Sequence, residues 1–377
     1  MIDQSFPAPT PVYTEARQFA EKHLAALEKK EGEFSREAWD QLARFGFFHM
    51  PFPEELGGAD LSCDDLCDVL EGLGAGGPDN ALYFSASAHL WAVVKPVVDF
   101  GTEEQKAAYL PKLLDGSLVG AHAASEPGAG SDVMALATRY RKVDGGFVLS
   151  GSKVYVTNAP VADLFVAFAT SDPRLHFRGI TAFLVERTNP GVSVGPNEEK
   201  MGLKGSPIGA VFFDECFVPA SALLGKERQG ARIFQTSLAW ERTFIQAHQV
   251  GAMRRQIERA VAHAQERQQF GQPIGKFQAV SHRIVDMYVR YWQSRLILRM
   301  AASELMLQGN TQFAALSKLV LGEGALATHL EALRTFGGSG YMVEMGLEKE
   351  VRDSLGGTLY SGTSDLQKNI IAASLGL

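Results

Sequence analysis

The stretch ASEPGAGSD, residues 124–132, links two parts of the chain that differ in their hydrophobic pattern. Gly128 and Gly130 allow the backbone to approach a ligand closely, and Ser125 and Ser131 offer hydroxyl and backbone N–H groups. On its own, such a stretch is an ordinary glycine-rich turn. It does not match G-x-G-x-x-G between a strand and a helix, so the sequence argues against a Rossmann nucleotide site.

On the N-terminal side of this stretch the pattern is helical. Residues 14–30 carry apolar side chains at three- and four-residue spacing, and Thr14 is the predicted cap of that helix. Ser35 and Thr102 are the predicted caps of two further helices, and we expect Pro111 to break the second of them. These patterns predict an N-terminal α-helical domain.

On the C-terminal side, short runs rich in Val, Phe and Ile are separated by Gly, Pro, Asn and Asp. The runs are GFVLSGSKVYVTN (146–158), ADLFVAFAT (162–170), GITAFLVER (179–187) and GAVFFDECFVP (209–219). They predict a central antiparallel β domain. Long helices with apolar stripes follow Gly230 and predict a C-terminal helical bundle, in which Gly309-Asn310 is the predicted C-cap of one helix. The predicted fold class is therefore α+β, with domains over residues 1–116, 117–230 and 231–377.

Composition narrows the class of protein. Of 377 residues, 46% are hydrophobic and 21% are charged, which is typical of a soluble globular protein with two or three lobes. The net charge is −7 and Lys and Arg are scattered, which argues against nucleic acid as a partner. The N-terminal stretch lacks a basic flank followed by an apolar core, and no apolar run approaches the roughly 20 residues of a membrane span. We therefore expect a cytoplasmic protein without a membrane partner.

The chain has three cysteines. Cys63 and Cys67 lie four residues apart and Cys216 stands alone, whereas a zinc site needs more ligands at closer spacing. The sequence therefore predicts reduced thiols and no metal site.

Four segments in a fixed order give the chain its resemblance to a known family. They are ASEPGAGSD (124–132), SGSKVYVTNAP (150–160), ERQQFGQPIGKFQAV (266–280) and RTFGGSGY (334–341). Together, in an α–β–α frame, they resemble the acyl-CoA dehydrogenase family of flavoproteins over essentially the whole chain. The resemblance implies that FAD is the cofactor and an acyl thioester the substrate. It also implies a homodimer or homotetramer, because some residues act on the FAD of a neighbouring subunit.

The resemblance also implies a set of residues that contact FAD. Those expected at the flavin ring and the thioester end of the substrate are Ala124, Ser125, Gly130 and Ser131, with Tyr155 and Thr157 against the ring. Those expected to reach a neighbour's cofactor are Arg267, Gln269, Phe270 and Gln278, with Gly337 and Gly338 against phosphate and Thr363 and Asp365 near the adenosine.

At two expected FAD contacts, Tyr155 and Arg334, the chain departs from the family pattern. The family often has tryptophan where this chain has Tyr155, although tyrosine could still stack on a ring. Arg334 stands where relatives commonly carry glutamine, and its guanidinium suits a pyrophosphate. The structural alternative for Tyr155 is a tyrosine packed in a sheet, and that for Arg267 is a solvated arginine at a helix end.

The family reaction removes a proton from the α carbon of an acyl thioester and transfers a hydride from the β carbon to the flavin. The base must be a carboxylate whose pKa is raised by desolvation, because a serine hydroxyl is too weak a base. Most members place a glutamate directly before the Gly-Thr of the closing motif, and in LYSGTSDLQ (359–367) that residue is Ser361.

A minority of members, such as isovaleryl-CoA dehydrogenase, take the base from a Glu-Arg pair in the first long helix of the C-terminal domain. Here SLAWERTFIQ (237–246) contains Glu241 and Arg242. We expect Glu241 to be the base and Arg242 to order the helix and the loops. The Ser361 backbone N–H is expected to donate to the thioester oxygen. Ser131, Arg242, Tyr360 and Gly362 are the expected substrate contacts.

Three shorter stretches bear on the identity of the acyl group. They are similar to the corresponding stretches of the subgroup that oxidises prolyl groups on peptidyl carrier proteins in natural-product pathways. These stretches are SGTSDLQKNIIA, WERT and QAVSHRIVDM. A short or branched acyl-CoA is the alternative substrate. Two other functions stay open at this point: a flavin oxidase or monooxygenase on the same fold, and a non-catalytic scaffold that binds flavin or an acyl group.

Overall fold

The computed structural model describes residues 6–27 and 32–377. Residues 1–5, in the N-terminal stretch, and residues 28–31, at the end of the first predicted helix, lie outside that description. The chain forms helices, then a sheet, then helices again, so the predicted α+β class is confirmed. The limits of the three domains stay a prediction.

Helices occupy the N-terminal region. They are α1 (Pro11–Phe19), α2 (Arg36–Arg44), α3 (Cys63–Gly76), α4 (Asn80–His89), α5 (Lys95–Phe100) and α6 (Glu103–Leu114), with π-helical turns at Ala20–Leu24 and Leu90–Val94. Ser35 caps α2 by accepting a hydrogen bond from the Ala38 N–H at 3.2 Å, as predicted. Thr102 and Gln105 form a capping box at the start of α6, so the second predicted cap is also confirmed.

Two details of the helix prediction are wrong. Thr10, and not Thr14, caps α1, because Pro11 fits the first helical turn, where its missing N–H is not needed. Helix α6 continues through Pro111 to Leu114. Leu113 and Leu114 are buried, so their packing against the core outweighs the hydrogen bond that proline removes.

One helical stretch differs from the expectation about apolar runs. Asn80–Phe100, which spans α4 and α5, is long and apolar enough to cross a membrane by length and composition. However, 83% of its most apolar window is buried inside the protein. The stretch is therefore a core element of the fold. Its burial in the protein accounts for its apolar composition.

A mixed sheet forms the central region. Its strands are β1 (Gly120–Ala123), β2 (Arg139–Val143), β3 (Gly146–Thr157), β4 (Leu164–Thr170), β5 (Ile180–Glu186), β6 (Val192–Val194), β7 (Ile208–Pro219) and β8 (Leu223–Leu224). The order is β6-β7-β3-β2-β4-β5-β8, with β1 beside β4. The four predicted strand runs are present. Most pairings are antiparallel as predicted, but β4 pairs in parallel with both β1 and β2.

Strand β4 shows how the sheet joins two cores. All seven of its residues are buried, which is expected of a strand covered on both faces. Because side chains alternate along a strand, Leu164, Val166 and Phe168 pack into the helical core, while Phe165, Ala167 and Ala169 pack into the core of the β region. The helices and the sheet are thus parts of one packed structure.

The C-terminal region contains long helices. They are α7 (Gly230–Phe244), α8 (His248–Glu266), α9 (Gln278–Gln308), α10 (Gln312–Phe336), α11 (Leu347–Gly356) and α12 (Ser364–Ser374), with a small hairpin, β9 (Gln268–Gln269) and β10 (Gln272–Pro273), between α8 and α9. Gly309 ends α9 in the left-handed conformation, as its position in the sequence predicts.

Ion pairs and hydrogen bonds tie this bundle to the N-terminal helices. Arg295 on α9 donates to Glu71 on α3 at 2.8 Å. Arg255 on α8 donates to Glu350 on α11 at 2.6 Å, and Asn80 at the start of α4 donates to the same carboxylate at 2.9 Å. The α4 helix is therefore held against the C-terminal bundle, next to the candidate active site.

Candidate active site

Helix α7 carries Glu241 and Arg242 close to its C-terminal end. It begins at Gly230, where a Cβ atom would come within 2.8 Å of the Ile180 backbone, so the helix can lie close against β5. Its apolar face, formed by Ile233, Phe234, Leu238 and Phe244, is buried. This packing fixes the direction in which Glu241 projects.

Glu241 has the properties expected of a general base. Glu241 as a residue is half-buried, and its carboxylate lies among protein atoms. Ser361 Oγ donates a hydrogen bond to Glu241 Oε1. Burial raises the pKa of Glu241, and the Ser361 hydrogen bond together with the charges of Arg242 and Lys318 opposes that rise. The site therefore contains a carboxylate whose pKa lies above its ordinary value.

The loop between α11 and α12 presents Ser361 to this carboxylate. Ser361 has φ of 55° and Gly362 has φ of 90°, so both lie in the left-handed region. Arg242 Nε donates to the Ser361 carbonyl at 3.2 Å, and Gln367 Nε2 donates to the Gly362 carbonyl at 2.9 Å. Because both carbonyls are held, the serine hydroxyl is fixed beside Glu241. The sequence predicted a backbone role for Ser361 and missed this side-chain hydrogen bond.

Tyr360 joins the loop to the N-terminal region. Its ring centroid lies 4.4 Å from that of Phe84 on α4. Phe84 packs with Leu203 and Ile245 in a small separate core. The candidate base thus lies where α4, α7 and the closing loop meet.

The glycine-rich stretch lies beside strand β3. The Val154 N–H donates to the Ser125 carbonyl at 2.9 Å, and Glu126 and Ala129 exchange two backbone hydrogen bonds of 3.1 Å that close the turn. Ala124 is buried and Ser125 is part-exposed. The exposed residues of this stretch are Pro127, Gly128, Gly130, Ser131 and Asp132. The structure therefore brings together the first two family segments, residues 124–132 and 150–160.

Tyr155 adopts an unusual conformation in this strand. It lies at an irregularity in the β3–β7 pairing, has φ of 55°, and its side chain is 68% exposed. It is therefore not a tyrosine packed in the sheet, because the irregularity turns the ring outward. Thr157, two residues later, is part-exposed on the same strand.

These residues fit a flavin. Gly128 and Gly130 have open space within 4 Å of where a Cβ atom would stand, so a planar ligand could approach their backbone. The exposed Tyr155 ring supplies an aromatic face, and Ser125, Ser131 and Thr157 supply hydroxyl groups. This combination of an open backbone, hydroxyls and one aromatic ring suits an isoalloxazine.

A buried ion pair supports this surface and was not predicted. Lys153 Nζ lies 2.7 Å from Glu126 Oε1, and both side chains are at most 5% exposed. Glu126 also accepts a hydrogen bond of 3.0 Å from the Thr138 N–H. Burial raises the pKa of Glu126, but the charge and hydrogen bond of Lys153 outweigh it, so that this pKa lies below its ordinary value. The pair fixes the turn against β3.

The second group of predicted residues lies far from Glu241 in one subunit. Arg267, Gln269, Phe270 and Gln278 are exposed at the far end of α8, whose 19 residues span roughly 28 Å. Phe270 and Gly271 have φ of 50° and 77° in the two-residue turn of the β9–β10 hairpin. This turn presents Phe270, which is 91% exposed.

Arg334, Gly337 and Gly338 lie at the same end of the bundle. The Phe336 ring stacks on that of His263 near the end of α8, with centroids 4.2 Å apart. Gly337 and Gly338 are exposed with open space around them, and Arg334 pairs with Glu331 at 2.7 Å. The action of these residues on a neighbour's cofactor stays a prediction.

Thr363 and Asp365 closely follow Ser361 in the sequence and lie at the start of α12. The Thr363 hydroxyl caps α12 by accepting from the Leu366 N–H at 3.2 Å. Asp365 is exposed and pairs with Lys368 at 3.3 Å. Neither contact in this structure identifies an adenosine site, so that role also stays a prediction.

Two further polar residues near the site were missed by sequence reasoning. Lys318 and Gln246 both donate to the Gly357 carbonyl, each at 2.6 Å. A buried lysine within an apolar helix run and a glutamine after an aromatic cluster give no signal of a shared partner. Within the described ranges, 6–27 and 32–377, no group of three or more His, Cys, Asp or Glu side chains could hold a metal ion.

Comparison with protein families gives three matches along the chain. Residues 11–117 match the N-terminal domain of acyl-CoA dehydrogenase, residues 121–216 the middle domain, and residues 228–376 the C-terminal domain.

Individual relatives match over nearly the full chain. The L-prolyl-[peptidyl-carrier protein] dehydrogenase of Pseudomonas fluorescens is 41% identical over 364 residues, which is 96% of each chain. The crystal structure of the prolyl acyl carrier protein oxidase AnaB matches with a TM-score of 0.95 and 39% identity, over 97% of this chain and 98% of that one. The structure of PigA with FAD and proline matches with a TM-score of 0.94 and 37% identity, over 99% and 98%.

Proposed function

The chain belongs to the acyl-CoA dehydrogenase family, and we propose that it oxidises a prolyl-like acyl group held as a thioester on a carrier protein. It is an FAD-dependent oxidoreductase. The resemblance predicted from the sequence, to this family and to its carrier-protein subgroup, is confirmed by the matches over the whole chain. The relatives named as prolyl-carrier dehydrogenase or oxidase support the choice of substrate.

The hydrogen-bonded Glu241–Ser361 pair is the observation that carries this proposal. Removal of an α proton from a thioester needs a base whose pKa approaches neutrality, and burial raises the pKa of Glu241 in that direction. Serine at position 361 leaves Glu241 as the carboxylate of the pair. A scaffold without catalysis would not require a buried, oriented carboxylate at this place.

Glu241 accepts the α proton at a carboxylate oxygen. Ser361 Oγ orients that carboxylate and stabilises its ionised form through its hydrogen bond. Arg242 holds the Ser361 carbonyl at 3.2 Å and so keeps the loop in place. The Ser361 backbone N–H donates to the thioester oxygen, where negative charge develops as the proton leaves. Tyr360, Gly362 and Ser131 complete the substrate contacts.

FAD supplies the hydride acceptor when it is bound. The flavin end is held by Ala124, Ser125, Gly130, Ser131, Tyr155 and Thr157. The open space at Gly130 and the exposed Tyr155 ring support this role. Residues at the far end of the bundle bind the FAD of a second subunit. These residues are Arg267, Gln269, Phe270, Gln278, Arg334, Gly337 and Gly338, and their exposure in one subunit supports that role. Thr363 and Asp365 lie near the adenosine.

The cellular setting follows from the substrate class. Carrier-bound amino acids are intermediates of natural-product biosynthesis, and we place the enzyme there as a soluble cytoplasmic homodimer or homotetramer. Its partners are a carrier protein and further copies of the chain.

Anaerobic titration of the bound flavin tests the proposal. Prolyl-carrier protein should bleach the flavin absorbance of the wild type, and isovaleryl-CoA should do so more slowly or not at all. Glu241→Gln should slow bleaching by roughly 10²- to 10⁴-fold, since it removes the general base. Glu37→Gln, a change at an exposed glutamate on α2, is the matched control and should leave the rate unchanged.

Three results would contradict parts of the proposal. Rapid bleaching by isovaleryl-CoA alone would favour a short or branched acyl-CoA as the substrate. Full-rate bleaching by Glu241→Gln would overturn the choice of base. Absence of bleaching with either thioester in a protein that retains FAD would favour a non-catalytic scaffold.

A further inference from the structure

Lys318 lies buried on α10 beside the active site. The residue is 1% exposed, and its amine donates to the Gly357 carbonyl at 2.6 Å. Gln246, from the turn after α7, donates to the same oxygen at 2.6 Å. Two donors, one on α10 and one in the turn after α7, therefore hold one carbonyl.

That carbonyl belongs to the loop that carries Ser361. Gly357 follows α11, and the Ser364 N–H closes the loop by donating to the Thr358 carbonyl at 2.9 Å. Ser361 lies between these points and donates to Glu241. A shift of the Gly357 carbonyl would move the serine hydroxyl relative to the carboxylate.

Helix α10 approaches this loop unusually closely. Gly322 lies one turn after Lys318, and a Cβ atom there would meet the Gly357 carbonyl oxygen at 2.8 Å. Glycine at 322 lets the helix come near enough for the lysine amine to reach its partner. The Lys318 side chain therefore connects α10 to the loop that carries Ser361.

Charge around Lys318 links it to the base. Its amine is influenced by Arg242 and Glu241 on α7 and by Glu323 on α10, and it lies 5.5 Å from the centre of the Tyr360 ring. Burial and the positive charge of Arg242 lower the pKa of Lys318 to about 7, against the opposing effect of the two glutamates. The lysine is therefore part-charged near neutral pH.

We propose that Lys318 is a positioning residue for the catalytic base, holding the Gly357 carbonyl through its amine and stabilising the Glu241 carboxylate through its charge. This inference rests on the proposed function of the site. Charged Lys318 and Arg242 both favour ionised Glu241, whereas the buried surroundings disfavour it. Loss of the lysine charge should therefore raise the pKa of Glu241, so that the base becomes protonated at a higher pH.

The pH dependence of flavin reduction by prolyl-carrier protein tests the charge. In Lys318→Met holoenzyme, the acidic limb of the rate profile should move upward by up to about 1 pH unit relative to the wild type. Gln246→Met is the matched control, since it removes the other donor to Gly357 without removing a charge. It should lower the rate at all pH values without moving the limb, and Lys318→Arg should restore the wild-type limb.

A second measurement does not depend on turnover. Because the pKa of Lys318 is lower in the folded protein than in the unfolded chain, the unfolded state binds more protons between about pH 7 and pH 10. The wild-type holoenzyme should therefore gain Tm relative to Lys318→Met as the pH rises from 7 to 9.

The possible results separate the two proposals. Equal shifts of the limb in Lys318→Met and Gln246→Met, or no shift in either, would overturn the role of the charge while leaving the enzyme's function intact. A Tm difference that does not change with pH would overturn the lowered pKa of Lys318 only, since an unshifted lysine stays charged over this range. Failure of the wild type to be reduced by any thioester would overturn the proposed function itself, and the Tm result would still report whether Lys318 titrates near neutrality.

Discussion

At the scale of single residues, the ionisation of Glu241 is set by opposing influences. Burial raises the pKa of this carboxyl, while Ser361, Arg242 and Lys318 all favour its charged form. A base in this position must be ionised before the substrate arrives and must still bind a proton strongly. In this site burial is the larger influence and the hydroxyl and two cations oppose it, so the pKa of Glu241 lies above its ordinary value.

Replacing Ser361 by alanine should disturb this balance in a predictable direction. The hydroxyl stabilises the carboxylate, and a hydrogen bond to a charged group contributes about 1.5–3 kcal/mol, so its loss should raise the pKa of Glu241 further. The acidic limb of the reduction rate should move upward accordingly, with a rate near that of the wild type at high pH. Stopped-flow reduction between pH 5.5 and 9 measures this.

The control is Ser374→Ala in the same C-terminal segment, where an exposed hydroxyl donates to the Ile371 carbonyl at 2.7 Å. It should leave the profile unchanged. A Ser361→Ala profile that coincides with this control would mean that the hydroxyl does not act on the base.

The sequence allowed part of this site to be predicted. Glu241 and Ser361 stand out because a family motif carries serine where most members have a carboxylate. Lys318 and Gln246 could not be predicted, because their shared partner is a backbone carbonyl that any residue could supply. The side-chain hydrogen bond of Ser361 depends on a left-handed backbone at a residue other than glycine, which the sequence does not signal.

At the scale of elements, the glycine-rich turn and β3 depend on one buried ion pair. Lys153 and Glu126 are 2.7 Å apart and almost fully buried. A buried charge that loses its partner is strongly destabilising, because the remaining charge cannot reach water. The stability of the turn that carries Ser125 and Gly130 therefore depends on this ion pair.

Lys153→Met should destabilise the protein by about 3–5 kcal/mol and weaken FAD retention, since it leaves Glu126 unpaired beside the turn. Arg141→Met is the matched control, because Arg141 and Glu215 form a pair of similar length, 2.6 Å, with side chains 58% and 64% exposed. That change should alter stability by at most about 1 kcal/mol. Urea unfolding of both holoenzymes measures the difference, and equal effects would contradict the argument.

Elements were predicted well where local chemistry determines them. Ser35, Thr102 and Gly309 end or begin helices because their side chains or conformations suit that place. Pro111 lies inside α6 because tertiary packing outweighed local preference. The parallel pairing of β1 with β4 was missed for a similar reason, since partners distant in sequence leave no local pattern.

At the scale of the whole molecule, α9 leaves an apolar face uncovered in one subunit. This helix has 31 residues, and one side packs on α3, α8 and α10. Large apolar residues are nevertheless exposed along its length, namely Val285, Val289, Leu296, Met300 and Leu307. Their recurrence at intervals of four and seven residues places them along one stripe of the helix. A stripe of this kind is typical of a contact between copies of a chain.

Charge on this stripe should therefore break the assembly. In the double variant Leu296→Glu/Met300→Glu, two carboxylates would enter an apolar contact, where unpaired charges are strongly disfavoured. We expect the molar mass from light scattering to fall to that of a smaller oligomer. The hairpin that carries Phe270 is proposed to bind the FAD of a second subunit. If the contact through α9 brings this hairpin to the cofactor, the FAD content of the double variant should fall together with its molar mass. Phe177→Glu, an equally drastic change at an exposed aromatic residue of the β region, should leave the mass unchanged. An unchanged mass in the double variant would place the contact on another face.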